Sequence, residues 1–502
     1  MRWFAFLIFL LPGIALSETP YGTHCASCHG ADRLGGIGPA LLPENLARLK
    51  KPEAARMIRD SRPGVQMPAF DKTISKEGIA QLVELIYSPV VPAPNWGEAE
   101  IRASRVVHHA PGTLPATAQF EADPMNLFVV VEAGDHHVTI LDGDRLEPIH
   151  RFASRYALHG GPKFTRDGRF VFFASRDGWI SKFDLWNLKT VAEVRAGINT
   201  RNAAVSSDGR YVIAANYLPH SLAIFDADLN LVKLVATPSR VSAVYDAPPR
   251  QSFIAALKDV PEVWEISYDP KAQDIPLGTV HDFRTKEGSF VPVFLNPRRT
   301  VLGNVLDDFF FTPDFSTLVG TSRDVRGGQV VHLDVRRAIA TVALPGMPHL
   351  ASGITWERQG RRVMATPNLR EGLVTVIDMA TWKTLAQVPT AGPGFFLRSH
   401  EATPYAWVDA MMSPAARDTL QVIDKQTLEV VARLTPEPGK TLAHVEFDRY
   451  GRYALASLWE ADGALIVFDA RTLAEVKRIP MKKPVGKYNV HNKVTRSEGT
   501  SP

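Results

Sequence analysis

Cys25-Ala26-Ser27-Cys28-His29 is the place in this sequence where spacing prescribes a covalent chemistry. Two thiols at this separation can add to the two vinyl groups of one heme. The histidine directly after the second then reaches the iron from the same side, so C-x-x-C-H points to c-type heme attachment. A zinc site needs about four ligands, and the chain has only these 2 cysteines. A thioredoxin-like pair opens a helix after a strand, and no strand pattern precedes Cys25. One covalent heme c on Cys25 and Cys28, with His29 on its iron, is the expectation.

Elements that would position such a heme follow directly. Arg62-Pro63-Gly64-Val65-Gln66-Met67-Pro68-Ala69-Phe70 is similar to the methionine loop of small class I cytochromes c. Met67 is therefore the expected second iron ligand, with His24 in reserve; a thioether raises the heme potential. Ile79, Leu82, Val83 and Ile86 form one apolar face at helical spacing, and Ser75 is placed to cap that helix. Ser88-Pro89-Val90-Val91-Pro92-Ala93-Pro94 has the composition of a linker. A small all-α class I cytochrome c domain over residues 18–92 and a linker over 93–104 are predicted. Ahead of them, Arg2, the apolar run Phe4 to Leu11 and small residues up to Ser17 have the layout of a secretory signal peptide. The run is short for a membrane span of about 20 residues. Residues 1–17 are thus expected to be removed, leaving a soluble protein outside the cytoplasm, in the periplasm.

From residue 105 to 502 the pattern becomes β. Short alternating segments end in Asp142, Asp184, Asp226, Asp269, Asp334, Asp378, Asp424 and Asp469. Successive aspartates are about 42 to 46 residues apart, with one gap of about 65 between Asp269 and Asp334, a period that belongs to propeller blades. Turns such as Arg166-Asp167-Gly168-Arg169 and Ser207-Asp208-Gly209-Arg210 lead into strands. Eight repeats predict a mainly β, eight-bladed propeller, with an insertion near residues 271–300. The 502 residues are too many for one ordinary domain, and 45% hydrophobic composition suffices for sizeable cores. The net charge of +4 is spread along the chain, and no lysine/arginine block suggests nucleic acid as a partner. Both cysteines fall in one motif, which leaves no disulfide framework.

A cytochrome c followed by an eight-bladed propeller resembles the heme d1 family. That family includes the periplasmic nitrite reductases of the cytochrome cd type and the dihydro-heme d1 dehydrogenases of heme d1 biosynthesis. The resemblance is clearest at Tyr156-Ala157-Leu158-His159, Ser175-Arg176-Asp177-Gly178, Phe183-Asp184-Leu185-Trp186 and Val485-Gly486-Lys487-Tyr488-Asn489-Val490. It implies His159 as proximal ligand of the heme d1 iron. It also implies Arg176, Arg201 and Tyr217 as contacts of the macrocycle's carboxylates and carbonyls, where guanidinium groups are apt.

Departures from the reductases then matter. His349 matches one of their two distal histidines. The other would fall near Asp307-Asp308-Phe309-Phe310-Phe311, which has none. The arginine expected soon after His349 is replaced by Leu350-Ala351-Ser352-Gly353, and His444 stands where the reductases resemble glutamine. This pattern is nearer the dehydrogenases. The resemblance then implies oxidation of a propionate of dihydro-heme d1 to an acrylate, with His349 and His444 on the distal face, one ligating iron and the other moving protons. Electrons would leave through heme c to an external periplasmic acceptor, and the heme d1-requiring nitrite reductase would be the recipient of product. The alternatives are a nitrite reductase with an unusual distal pocket and a non-catalytic heme d1 carrier.

Overall fold

The computed structural model describes residues 19–36, 38–47, 49–60, 67–276 and 290–495. The expected signal peptide and most of the methionine loop lie outside them. The chain divides into two units, one ending at Pro94 and the other running on from Asn95.

The first unit is helical. Helix Lys76–Ile86 starts where Ser75 Oγ accepts the Gly78 N–H at 3.1 Å, and it buries Ile79, Leu82, Val83 and Ile86. These pack with Tyr21, Leu46, Ala54, Ile58, Phe70 and Ile74 into one core. The second unit begins before the predicted propeller start. Trp96 Nε1 donates to the Arg195 carbonyl at 2.9 Å, and helix Glu98–Ala103 sends Ile101 into the propeller core. The stretch 93–104, expected as linker, is therefore mostly docked structure.

Eight four-stranded antiparallel sheets follow one another around the ring, the second carrying Val106–Val107 as a fifth, outermost strand. Blade 1 takes its innermost strand, Pro484–Asn489, from the far end of the chain and pairs it with Leu127–Glu132. The innermost strands of blades 2 to 8 are Lys163–Phe164, Asn199–Val205, Val241–Ala247, Asp308–Phe311, Ile354–Arg358, Leu397–Ser399 and Leu442–Phe447. The insertion falls inside blade 4, between Glu262–Ser267 and Pro297–Val301, where Ile275–Pro276 pairs with Phe290–Val291. Separate apolar clusters fill the spaces between neighbouring blades; one joins Phe172 and Ile180 of blade 2 to Val212 and Phe225 of blade 3.

The repeated aspartates have a local cause. Asp142, Asp184, Asp226, Asp378, Asp424 and Asp469 each close a blade's third strand. Each side chain accepts backbone N–H groups of the turn that follows; Asp184 Oδ1 takes those of Trp186 and Asn187 at 3.0 and 3.2 Å. Blade 5 differs. Its third strand ends at His332, whose Nδ1 receives the Asp334 N–H at 3.3 Å, so the aspartate stands two places late.

Asp184 is fully buried, and it also receives Arg169 at 2.8 Å and Asn187 Nδ2 at 2.9 Å. Asp184→Ala leaves those partners stranded and is expected to cost about 3 kcal/mol. Asp226→Ala, at a more open turn, should cost about 1 kcal/mol. Denaturant unfolding of the two variants checks this; equal losses would show that the buried pair contributes nothing beyond the turn.

Candidate active site

In the first unit, Cys25 precedes the short helix Ala26–His29, which carries Cys28 and ends on His29. His29 Nδ1 lies 2.8 Å from the Pro39 carbonyl, so Nδ1 carries the hydrogen and Nε2 holds the lone pair an iron needs. Burial lowers the His29 pKa, which keeps the ring neutral. Gly38 allows the close packing, since a Cβ there would stand 2.8 Å from the ring. Cys25 and Met67 both border the apolar core of this unit. These donors fit a covalent heme.

In the propeller, the sequence-expected groups gather where the innermost strands begin. His159 sits just before the inner strand of blade 2. Its Nδ1 donates to the Arg201 carbonyl at 2.7 Å. Nε2 then accepts from Arg176 Nη2 at 2.9 Å and Arg201 Nη1 at 2.8 Å. Gly160, at φ +80°, lets the histidine loop lie against blade 3, for a Cβ there would meet Asn202 Cβ at 2.6 Å. Tyr217 belongs to a second basic group: Arg240 and Lys258 stand over its ring at 5.6 and 5.9 Å.

His349 precedes the inner strand of blade 6. Blades 2 and 6 are four steps apart in a ring of eight, so His159 and His349 approach the channel from opposite sides. His349 repeats the arrangement of His159, with Nδ1 2.8 Å from the Phe395 carbonyl and Nε2 left as the ring acceptor. Burial pushes its pKa down to about 4, helped by Arg201 and Arg398 and opposed by the carbonyl hydrogen bond. His444 lies on the inner strand of blade 8, at φ +52° and at a bulge between Ala443 and Val445. Such a conformation is costly for a non-glycine residue and is held only by firm surroundings. Its ring is 4.6 Å from Phe396 and 5.2 Å from Tyr488. The residue is 1% exposed, and among the described residues Nε2 has no hydrogen-bond partner. Burial first, then Lys487 and Arg398, lowers its pKa well below the usual value.

Sequence reasoning missed the supports of these histidines. Asp308 accepts the Ala351 N–H at 2.6 Å and anchors the turn after His349. Burial raises its pKa to about 6. Asp409 accepts the Phe395 and Phe396 N–H groups at 2.8 and 3.1 Å, fixing the carbonyl that orients His349 and the ring that meets His444. Lys487 Nζ is a hydrogen-bond partner of the His444 carbonyl. Only the Gly392-Pro393-Gly394 turn before Phe395 hinted at an unusual loop in the sequence. A cavity of about 590 Å³ runs along the inner strands of blades 6 to 8 to their C-terminal ends. It is lined by Arg398, His400, Glu446 and Lys493 and touches none of the expected site residues.

A helical heme-binding unit ahead of an eight-bladed ring with channel histidines defines a class, and residues 122–493 match the cytochrome D1 heme domain. The chain belongs to that family. Residues 16–86 match cytochrome c oxidase, cbb3-type, subunit III. The chain is 54% identical to the dihydro-heme d1 dehydrogenase of Pseudomonas aeruginosa, over 97% of this chain and 96% of that one. A solved structure of dihydro-heme d1 dehydrogenase NirN in complex with DHE superposes with a TM-score of 0.87 at 54% identity, covering 96% of this chain and 100% of that one. The nitrite reductase of Stutzerimonas stutzeri is 24% identical, over 95% of this chain and 92% of that protein.

The heme c of the holoprotein should stay with the chain in acidified acetone, because two thioethers hold it. Met67→Ala is expected to lower its midpoint potential and change its reduced-minus-oxidised spectrum. An unchanged potential would transfer the ligand role to His24.

Proposed function

We propose that this chain is a periplasmic dehydrogenase that binds dihydro-heme d1 and oxidises one of its propionate side chains to an acrylate. One observation carries the reading: two histidines on opposite sides of the channel have Nδ1 committed to a carbonyl, while a third is buried with Nε2 unpartnered among the described residues. His159 is the proximal ligand of the substrate iron. His349, with the same orientation from across the ring, takes the distal side. His444, buried with Nε2 unpartnered among the described residues, is then the proton acceptor. Arg176 and Arg201 already lie against His159, and Tyr217 stands in the neighbouring basic group; all three serve the macrocycle's carboxylates and carbonyls.

Forming the double bond removes two protons and two electrons. A heme c on Cys25 and Cys28, ligated by His29 and Met67, supplies a one-electron outlet. Each turnover therefore needs two transfers to an external acceptor. A heme d1-requiring nitrite reductase is the natural recipient of the product. Among the described residues no helix is long and apolar enough to cross a membrane.

Arg176→Ala and Arg201→Ala are expected to weaken dihydro-heme d1 binding, each by about 1.5–3 kcal/mol, with the heme c spectrum unchanged. Titration followed by absorbance measures this, and parent-like affinity in both would remove them from the site. His444→Ala should still bind substrate but convert it about 10²–10⁴ times more slowly. Anaerobic incubation of the parent should yield heme d1 with reduction of its own heme c and little nitric oxide from nitrite. Rapid nitric oxide formation would favour a reductase, and binding without conversion a carrier.

A further inference from the structure

Along the inner strand of blade 7 the groups that face the channel follow one another in a fixed order. Phe395 packs on His349 with ring centroids 4.0 Å apart, and Phe396 on His444 at 4.6 Å. The strand Leu397–Ser399 continues directly from them. Side chains alternate along a strand, and Leu397 joins the apolar core shared with blade 6. Arg398 therefore returns to the side of Phe396, one step further down the channel. There it lines the cavity of about 590 Å³ together with Glu446, Asn492 and Lys493.

Arg398 is 8% exposed. A guanidinium keeps its charge inside proteins and presents a planar fork that matches a carboxylate. Its charge reaches both His349 and His444, and the hydroxyl of Tyr488. Among the described residues, the side chains whose charges meet around it are Lys163, Lys487 and Lys493 against Glu446 and Asp409. Asp409 is engaged by the N–H groups of Phe395, Phe396, Met411 and His444. Glu446 accepts from the Phe447 N–H and Asn492 Nδ2 at 2.9 and 3.2 Å. The channel floor thus gathers more basic than acidic groups away from water, an arrangement that an anion from outside the chain completes.

A macrocycle ligated between His159 and His349 has its plane across the line from blade 2 to blade 6. That plane runs along the channel, so one edge of the ring points down toward Arg398. We propose that Arg398 binds the carboxylate of the propionate that reacts, and so selects that side chain and holds its two carbons beside His444. The inference rests on the dehydrogenase reading above. The order along the strand fits the shape of the side chain. His444, packed on Phe396, stands where the two carbons pass, and Arg398 stands a step beyond, where the chain ends in its carboxylate. A two-pronged, charge-assisted contact fixes direction as well as position, and transfer of hydrogen to a placed base depends on both.

The test uses the full holoprotein and two ligands: dihydro-heme d1, and the same macrocycle with its propionates as methyl esters. Each is titrated by absorbance. The parent should bind the acid about 10- to 100-fold more tightly than the ester. Arg398→Gln should lose most of that preference by binding the acid more weakly, with the ester's affinity as in the parent. Arg398→Lys keeps a charge without the fork. It should bind the acid within a few-fold of the parent yet convert it about 10²-fold more slowly, because the side chain is misplaced. The heme c spectrum and thermal midpoint report the folding of each variant. A Gln variant with the parent's affinity and the parent's preference for acid over ester would overturn the anchor, while conversion by the parent would leave the dehydrogenase reading intact. So would a Lys variant that converts substrate at the parent's rate. A parent that binds both ligands but converts neither would overturn the reading, and with it the assignment of this carboxylate to a reacting side chain.

Discussion

Pairing between Leu127–Glu132 and Pro484–Asn489 closes the ring, and the channel exists only because that closure is made. The strand that closes blade 1 comes from more than three hundred residues downstream, so its hydrogen bonds join the ends of the unit rather than neighbours. Lys487 and Tyr488 lie on this strand, facing His444 of blade 8. Fold closure and the environment of the third histidine are therefore one event. Loosening the ring at blade 1 would free the lysine and move the aromatic wall together.

Closure also forces charge into a dry place. Lys163, Arg398, Lys487 and Lys493 are drawn toward the channel, and burial lowers the pKa of each; Lys163 falls to about 8. Glu446 is the carboxylate recurring among their neighbours. Cations away from water are expensive, and proteins retain them where an anion or a shifted proton equilibrium makes use of them. A macrocycle bearing several carboxylates is such an anion.

Local chemistry was legible in the sequence and convergent chemistry was not. C-x-x-C-H, the Ser75 cap and the apolar face of its helix involve residues a few positions apart. The aspartate period survived because each turn needs the same acceptor; it slipped by two at Asp334 because His332 took over the task. His159, His349 and His444 were reached only through family resemblance, since nothing near them in sequence marks them out. Asp308, Asp409 and Lys487 stayed invisible for a physical reason. Asp308 and Lys487 act on a backbone group or ring 43 residues away, and Asp409 on backbone groups 13 and 14 residues away, through contacts that only the folded blades create. Asp409 looks like any strand-end aspartate until its carboxylate is seen holding the Phe395–Phe396 turn.

The same burial separates the two reactions this family architecture can serve. Reducing nitrite to nitric oxide consumes protons, so the distal groups must carry protons at working pH and hand them over. Dehydrogenating a side chain releases protons, so the distal groups must be empty. Buried imidazoles have low pKa values because the charged form is the one desolvation penalises. His349, at about 4, and His444, lower than usual, are both neutral near pH 7, able to ligate or accept but poor as imidazolium donors. Asp308 has its carboxylate tied to the Ala351 N–H and holds the shape of the loop. Buried and neutral, His349 and His444 are suited to accept protons rather than to give them.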